Sequence, residues 1–455
     1  MNSQPEVNKK EGFQSSFGLL AAAVGSAVGL GNIWRFPYIT GLYGGGAFLV
    51  VYLICVAIIG IPVMTAEFII GREGQKDAIG SYKKLAPKSK WYISGVLGVA
   101  AAFLILAFYG VVAGWTLEYI VSAAANRFAG MDASQVENYF LEFISDPIRP
   151  IMWLVVFMAI TAYIVAAGIE KGIEKFAKIL VPLLLFIIII LDIKAVTLPG
   201  GNMGLEFLFK PDFSKLTREG VLAALGHAFF SLSLGMGIMI TYGAYIQKEE
   251  KLGKTALKVS IADTLIALLA GIAIFPVVFA FGIAPNSGAG LVFITLPNIF
   301  GQMPGGYFFS IMFFALLALA ALTSTISLLE AVVAYVIKRF DMKRVKATII
   351  TATLIIVLGI FASLSNGSLS GFTLHGYNLF DFLDNVTADF FLPISAFISS
   401  IFVGWRLDKK IVENQLTNNG TYQVKYIKVL SFLFRIISPA AILIVFLSGI
   451  YQRWA

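Results

Sequence analysis

The sequence predicts an all-α, polytopic membrane protein with about eleven transmembrane helices. Of its 455 residues, 58% are hydrophobic and only 13% are charged, and the mean hydropathy is +0.85. Apolar runs long enough to cross a bilayer recur along the whole chain. No soluble globular class has this composition. No polar stretch is long enough for a separate soluble domain, so residues 1–455 are expected to form a single transmembrane domain in the lipid bilayer.

The apolar runs set the order of the spans, and the charges between them set their orientation. Lys and Arg concentrate in alternate loops, such as residues 72–90 and the loop near residue 250, whereas residues 127–149 and 285–306 hold few or none. Basic loops stay in the cytoplasm, which places the N-terminus inside and the C-terminus outside the cell (plasma) membrane. Residues 291–300 are too short to span and are expected to form a re-entrant or surface helix. The predicted spans cover residues 16–40, 46–71, 92–125, 151–168, 174–196, 220–246, 257–284, 307–338, 346–364, 379–404 and 426–450.

Charge and residue counts exclude several functions. The net charge of +8 could suggest a nucleic-acid partner, but the basic residues follow the loops, so no nucleic acid is expected. Cys55 is the only cysteine, which excludes disulfides within the chain. His227 and His375 belong to no motif that pairs them with a nucleophile or a metal ligand. We therefore expect both histidines to be structural and the chain not to be an enzyme.

The first predicted span contains a stretch that a continuous helix would not tolerate. Residues 25–37 read GSAVGLGNIWRFP, with three glycines, Asn32, Arg35 and Pro37 inside an apolar run. In hydrocarbon a broken helix survives only where protein, water or a ligand replaces the lost backbone bonds. Free carbonyls in such a break can bind a cation, and free N–H groups at the start of the second half favour an anion. The break therefore predicts a joint site for a cation and a carboxylate.

The sixth predicted span contains a second break, at residues 231–237, which read SLSLGMG. Interrupted helices five spans apart indicate an inverted repeat with a binding site near the middle of the membrane. We expect helices 1–5, residues 16–196, to form the first repeat and helices 6–10, residues 220–404, the second. Helix 11, residues 426–450, follows both. No sequence identity between the halves is visible, so the repeat is inferred from the two breaks.

The motif AVGLGNIWRFPY, at residues 27–38, resembles the first transmembrane helix of the neurotransmitter:sodium symporter family. The resemblance covers nearly the whole chain and is strongest to the bacterial amino-acid branch. It implies a sodium-coupled symporter that imports hydrophobic L-amino acids, aliphatic to aromatic, by alternating access with two sodium ions. A substrate sensor or a channel on the same fold is the alternative. The other matching motifs are YGGGAF at 43–48, GIPVMTAEFIIGR at 60–72, SLSLGMG at 231–237, ITLPNIF at 294–300 and ALTSTIS at 321–327.

The resemblance implies two sodium sites. The first comprises Ala27, Asn32, Ser231 and Asp263, with the substrate carboxylate. The second comprises the carbonyls of Gly25, Val28 and Ala320 and the hydroxyls of Thr323 and Ser324. Asp263 stands where the family usually has asparagine, and Ala267 where chloride-dependent members have serine, so no chloride requirement is expected. Because Asp263 is near the cytoplasmic end of its apolar run, it could instead extend its carboxylate to the interface.

The resemblance also implies a substrate pocket that is apolar or small throughout. Tyr109 matches the tyrosine that binds the substrate carboxylate, and Phe230 matches the aromatic lid. Gly29 stands where monoamine transporters carry aspartate, which favours amino acids over amines. Met236 replaces an aromatic residue of the bacterial leucine transporter, and a flexible methionine suits substrates of several sizes. The pocket residues are Ala27, Gly29, Gly31, Ile105, Tyr109, Phe230, Ser231, Ser233, Met236, Ser324 and Leu328.

Gates are implied on both sides of this pocket. On the outside, Arg35 is expected to pair with Asp384. On the inside, Lys10, Phe13 and Tyr245 match the family's gate, but the expected acidic partner near the end of the eighth span is missing from the sequence.

Two further features concern the breaks and the fifth span. Glu67 is expected to accept bonds from N–H groups in the sixth-span break. Gly172 and Pro182 are expected to let the start of the fifth span unwind, although Pro182 could equally be an ordinary kink.

Overall fold

The computed structural model describes residues 12–283 and 290–453. Within these residues, nine helices are long and apolar enough to cross a membrane, and the pair Ser16–Ala27 and Gly31–Leu42, bent by 48°, forms a tenth span. The sixth predicted span is present as two helices, Arg218–Ser231 and Ile238–Tyr245. The all-α polytopic fold is therefore confirmed. In chain order the other spans are the second, Gly46–Gly74; third, Tyr92–Ala124; fourth, Arg149–Ala166; fifth, Ile169–Val196; seventh, Leu252–Ala280; eighth, Gly306–Phe340; ninth, Arg344–Leu364; tenth, Leu379–Arg406; and eleventh, Ile427–Tyr451.

Short elements connect the spans. Leu291–Gln302 is apolar but too short to cross the membrane, as predicted for residues 291–300. A small antiparallel hairpin joins Thr373–Leu374 to Tyr377–Asn378, with Thr373 opposite Asn378. The remaining short helices are Ala78–Leu85, Ala133–Ser145, Gly201–Phe209, the single turn Phe213–Lys215, and Lys409–Thr417.

The fifth span begins earlier than predicted. The sequence analysis leaves residues 169–173 between spans, but the structure places them in a wide π turn, Ile169–Glu174, continuous with the helix Lys175–Val196. Gly168, with φ of 90°, ends the fourth span. Gly172 packs so closely on the Ile164 carbonyl that a side chain would collide with it. The two spans are therefore joined by one tight corner, which a hydropathy pattern does not reveal.

Prolines explain most of the wide π turns in the described residues. A proline has no N–H for the carbonyl four residues before it, and its ring collides with that carbonyl. A π turn just ahead of the proline relieves this collision without ending the helix. Five turns have this arrangement: Gly31–Arg35 before Pro37, Val56–Gly60 before Pro62, Leu291–Thr295 before Pro297, Thr387–Phe391 before Pro393, and Leu433–Ile437 before Pro439.

Three of the carbonyls that these prolines leave without a helical donor are bound by side chains from other parts of the chain. Such replacement is required where no water is available. The three bonds run from Ser438 Oγ to Ile58 O at 3.3 Å, from Tyr119 OH to Phe293 O at 2.8 Å, and from Trp405 Nε1 to Arg435 O at 3.0 Å. Proline positions therefore also connect one membrane helix to another.

The bundle has an enclosed centre and a lipid-facing edge. In the third span, 72% of the most apolar stretch is buried by the protein, against 28% in the eleventh. The third and eighth spans pack against each other and, with the first and sixth, enclose the two breaks. The eleventh span packs mainly on the tenth, so most of its surface is left for lipid.

Candidate substrate and sodium site

The first-span break exposes backbone groups at the centre of the bundle. Its first half is capped by Ser15, whose hydroxyl accepts the Gly18 N–H at 3.0 Å, and ends at Ala27. Val28 is extended, with φ −74° and ψ 111°, and the second half begins at Gly31. The carbonyls before the break consequently lack helical donors and are available to other groups.

One polar cluster lies beside the break and contains three of the four residues predicted for the first sodium site. Asp263 is fully buried and accepts bonds from Ser231 Oγ at 2.6 Å and from Asn32 Nδ2 at 2.8 Å. Tyr52, which the sequence analysis missed, donates its hydroxyl to the same carboxylate at 3.2 Å. Asn32 in turn accepts the Gly29 N–H through Oδ1 at 3.1 Å. Asp263 thus binds neighbouring side chains inside the protein and does not extend to the interface.

A second polar cluster lies where the first span meets the eighth and brings together the residues predicted for the second sodium site. Thr323 Oγ1 is 3.3 Å from Val28 O and 3.0 Å from Ala320 O. Ser324 Oγ is 3.2 Å from Val28 O. A side chain at Gly25 would meet Thr323 Cβ at 3.2 Å, so the glycine lets the first and eighth spans approach closely. Carbonyl and hydroxyl oxygens are ligands for a hard cation.

A small cavity of about 20 Å³ touches both clusters, at Ser231 and at Ser324. It is lined by all the residues predicted for the substrate pocket, with Ser26 in addition. The Ser26 carbonyl accepts bonds from Ser233 Oγ at 2.9 Å and from Ser324 Oγ at 3.3 Å, which links the first, sixth and eighth spans. Its position between two predicted ligands, Gly25 and Ala27, in the broken helix was the signal available in the sequence.

Tyr109 and Gly29 shape the polar end of this cavity. The Tyr109 hydroxyl accepts the Leu30 N–H at 2.9 Å, so it lies at the start of the second half-helix. A side chain at Gly29 would lie 2.8 Å from that hydroxyl and would also collide with Ser324 Oγ. This end of the cavity therefore presents a hydroxyl and the start of a half-helix, with no room for a side chain at position 29.

The sixth-span break is held open by unusual backbone conformations. Ser233, Gly235 and Gly237 have φ of 53°, 75° and 70°, a region that favours glycine. The Gly235 N–H donates to Glu67 Oε1 at 2.9 Å, as the sequence analysis expects of this glutamate. Glu67 is completely buried in the second span, so it anchors the break to a neighbouring span.

On the outer side, the residues expected to form a gate line a shared cavity but do not touch. Arg35 and Asp384 both line an aromatic vestibule, yet among the described residues no ion pair joins them within 4.0 Å. The Arg35 guanidinium instead lies 5.0 Å from the centre of the Phe230 ring. Phe230 also lines the central cavity. Phe230 thus lies between the central cavity and the vestibule. Its role as a lid and the Arg35–Asp384 pair of a closed outer gate stay predictions.

On the inner side, the structure supplies an acidic residue that the sequence analysis considers missing. Glu330, fully buried in the eighth span, accepts the Tyr245 hydroxyl at 2.8 Å and pairs with Arg344 at 2.6 Å. Phe13 packs edge-on against Tyr245, with ring centres 6.3 Å apart, and is only 2% exposed. Lys10 lies outside the described residues. A carboxylate inside an apolar run was the signal for Glu330.

A second buried carboxylate, also missed, ties the chain's first described residues to the fifth span. Glu174 accepts the Gln14 N–H at 2.7 Å and the Ser15 hydroxyl at 2.8 Å, and pairs with Lys178 at 2.6 Å. Gly18 lies so close to Glu174 that a side chain there would collide. Glu174 is the last residue of the π turn that contains Gly172, whereas Pro182 lies inside a continuous helix. No unwinding is present at Pro182 in this structure.

Comparison with known proteins identifies the family. The profile of the Sodium:neurotransmitter symporter family matches residues 10–142 and 140–454. An uncharacterized sodium-dependent transporter of Bacillus subtilis, YhdH, is 40% identical over 434 residues, covering 95% of this chain and 96% of the relative. One from Haemophilus influenzae is 36% identical over 454 residues, covering 97% and 99%. The crystal structure of MhsT in complex with L-phenylalanine matches with a TM-score of 0.89 and 47% identity, covering 96% and 99%. The chain therefore belongs to the sodium:neurotransmitter symporter family and is a sodium-dependent, multi-pass membrane transporter.

Proposed function

We propose that this protein imports hydrophobic L-amino acids, aliphatic to aromatic, together with two sodium ions and without chloride. The observation that carries the proposal is the central cavity, which touches two oxygen-rich clusters near the first-span break. The N-terminus is assigned to the cytoplasm and the C-terminus to the outside of the plasma membrane. Inward movement of sodium supplies the driving force for substrate import. Each cation moved inward across 100 mV contributes about 2.3 kcal/mol.

The polar end of the cavity suits a substrate carboxylate. The Tyr109 hydroxyl can donate to an anion, and the Leu30 N–H, which donates to that hydroxyl in this structure, lies at the positive start of the second half-helix. Gly29 adds no charge and has no room for one. A substrate amine alone would not match this positive end of the cavity, whereas an amino acid supplies a carboxylate for it.

The other end of the cavity suits an uncharged side chain. Ile105, Met236 and Leu328 line it, together with the Phe230 ring. A charged side chain would lose its hydration there without gaining a partner of opposite charge. MhsT, which is 47% identical, was crystallised with L-phenylalanine, and this supports the aromatic end of the proposed range. The flexibility of Met236 allows the same wall to fit aliphatic side chains.

The two clusters are assigned to the two sodium ions. In the first, Ala27, Asn32, Ser231 and Asp263 bind the ion together with the substrate carboxylate, so binding of substrate and sodium is coupled. In the second, the carbonyls of Gly25, Val28 and Ala320 join the hydroxyls of Thr323 and Ser324. In this structure the Asn32 amide donates its N–H groups to Asp263. Sodium binding therefore requires the amide to turn so that its carbonyl oxygen faces the ion.

Chloride independence is assigned to the Asp263 carboxylate. Asp263 is fully buried within the first cluster, and Ala267, one helical turn later, offers no hydroxyl to an anion. A fixed carboxylate next to a sodium ion balances its charge within the protein. A mobile anion is then not needed for transport.

Uptake into liposomes tests the proposal. Purified protein with sodium outside is expected to accumulate labelled leucine, phenylalanine and tryptophan with saturable kinetics, and equal uptake in potassium would refute it. Non-saturable flux would indicate a channel, and binding without uptake would indicate a sensor. Thr323→Val should raise the sodium concentration for half-maximal uptake, because it removes an oxygen from the second cluster. Thr325→Val, on the same helix but bonded to Thr161 at 3.0 Å, is the matched control.

A further inference from the structure

A groove of about 390 Å³ lies between the tenth and eleventh spans, away from the transport site. Its walls are the end of the tenth span, the short helix Lys409–Thr417 and the first turns of the eleventh span. The basic loops predict that this end of both spans is cytoplasmic. Because the eleventh span is the least enclosed one, at 28% burial of its most apolar stretch, the groove opens toward lipid.

Arg435 lies inside this groove and within the membrane span. It follows Ile427 by eight residues, which is about 12 Å along a helix. Its Nε donates to Gly404 O at 2.7 Å, and its own carbonyl accepts the Trp405 indole at 3.0 Å. Among the described residues no carboxylate lies within 4.0 Å of its guanidinium. An arginine at this depth is unfavourable without an anionic partner. The Gly404 carbonyl therefore positions a guanidinium for which the described residues supply no counter-charge.

Two lysines add to the positive charge of the groove. Lys409 and Lys428 line it, and within the described part of the chain neither forms an ion pair. Glu413 is the acidic residue in the lining. Three cations and one anion leave two net positive charges.

The surroundings of the groove are apolar and face outward. Trp405 is 68% exposed, Phe432 52% and Ile436 49%. An exposed tryptophan at the end of a span is typical of the membrane interface. A ligand in this groove would thus contact cations at one end and apolar side chains along its length.

We propose that the groove binds an anionic phospholipid of the cytoplasmic leaflet through its phosphodiester. A guanidinium presents two parallel donors that match two phosphate oxygens. Basic pockets between transmembrane helices on the cytoplasmic side are suited to acidic headgroups. The exposed apolar residues beside Arg435 contact the acyl chains, which a soluble phosphate lacks. The lipid supplies the missing anion at the point where Trp405 and Arg435 join the tenth and eleventh spans.

Counting bound lipid by native mass spectrometry tests this proposal. Purified protein is given phosphatidylglycerol or phosphatidylcholine with identical acyl chains, and phosphatidylglycerol is expected to be retained in preference. Lys409→Gln and Lys428→Gln should each lower its affinity about fivefold, and the double variant about 30-fold. Lys346→Gln, an exposed lysine at the start of the ninth span on the same side, is the matched control and should change nothing.

Further measurements separate lipid binding from folding and from binding of soluble phosphate. Arg435→Lys keeps the charge but loses the planar fork, so we expect weaker phosphatidylglycerol binding with sodium-driven uptake retained. Equal retention of both lipids would overturn the proposal, as would a Lys409→Gln/Lys428→Gln variant that keeps wild-type affinity. Displacement of the lipid by glycerol phosphate or inorganic phosphate at comparable concentrations would assign the groove to a soluble phosphate and refute the lipid.

Discussion

Asp263→Asn removes a charge and an acceptor oxygen from a place that solvent does not reach. Asp263 is 0% exposed and receives bonds from Ser231 at 2.6 Å and from Asn32 at 2.8 Å. A hydrogen bond to a charged group contributes about 1.5–3 kcal/mol, and the proposed sodium ion loses its anionic protein ligand. Taking about 1.5–3 kcal/mol as the scale for the lost carboxylate–sodium interaction, sodium affinity should decrease about 10- to 150-fold.

Binding of labelled leucine as a function of sodium concentration measures this effect without requiring transport. The sodium concentration for half-maximal binding should rise in Asp263→Asn by the factor given above. Asp192→Asn is the matched control, because Asp192 is also a buried carboxylate in a span, and no hydrogen bond to either of its oxygens is present in the described structure. Unchanged sodium dependence in Asp263→Asn would refute the assignment, as would an equal change in Asp192→Asn.

Three other predictions concern chloride, the fifth span and the inner side. Replacing chloride by gluconate should leave wild-type uptake unchanged, whereas Asp263→Asn with Ala267→Ser should give uptake that rises with chloride; loss of wild-type uptake in gluconate would contradict this. Pro182→Ala restores a helical N–H and should slow sodium release to the inside several-fold in stopped-flow measurements, and unchanged rates would mean that the proline is an ordinary kink. Tyr245→Phe removes the 2.8 Å bond to Glu330, worth about 1–3 kcal/mol when the acceptor is left buried, and should increase labelling of a single cysteine introduced into the inner vestibule of a Cys55→Ala background; unchanged labelling would exclude a gating role for this bond.

The hydrophobic pattern predicts the fold because lipid restricts what can cross a bilayer. Long apolar runs and two interrupted helices were enough to place the spans within a few residues. The corner between the fourth and fifth spans was not predictable in this way, because it depends on the close packing of Gly172 against Ile164. The division into repeats at residues 16–196 and 220–404 stays a prediction.

The candidate site was predictable where backbone breaks and matched motifs mark it, and less so where side chains from distant spans meet. Asn32, Ser231 and Asp263 come together as the resemblance implies. Glu330 was not predicted because the end of the eighth span carries basic residues, Lys338 and Arg339, whereas its partner Arg344 begins the next span. Glu174 was overlooked because its partners lie about 160 residues earlier in the chain, at Gln14 and Ser15. Partner choice of this kind depends on tertiary packing rather than on local pattern.

The side chains that bind proline-freed carbonyls have a consequence for how the protein assembles. A span that has just entered the membrane alone has no partner for such a carbonyl, since the proline cannot supply one and lipid has no donors. Only the correct neighbour brings the hydroxyl or indole to the right depth, as Ser438 does for Ile58 and Trp405 for Arg435. Between apolar helices that otherwise attract one another weakly and without preference, these bonds select both the neighbour and its vertical register. The prolines thus encode part of the order in which the inserted helices recognise one another.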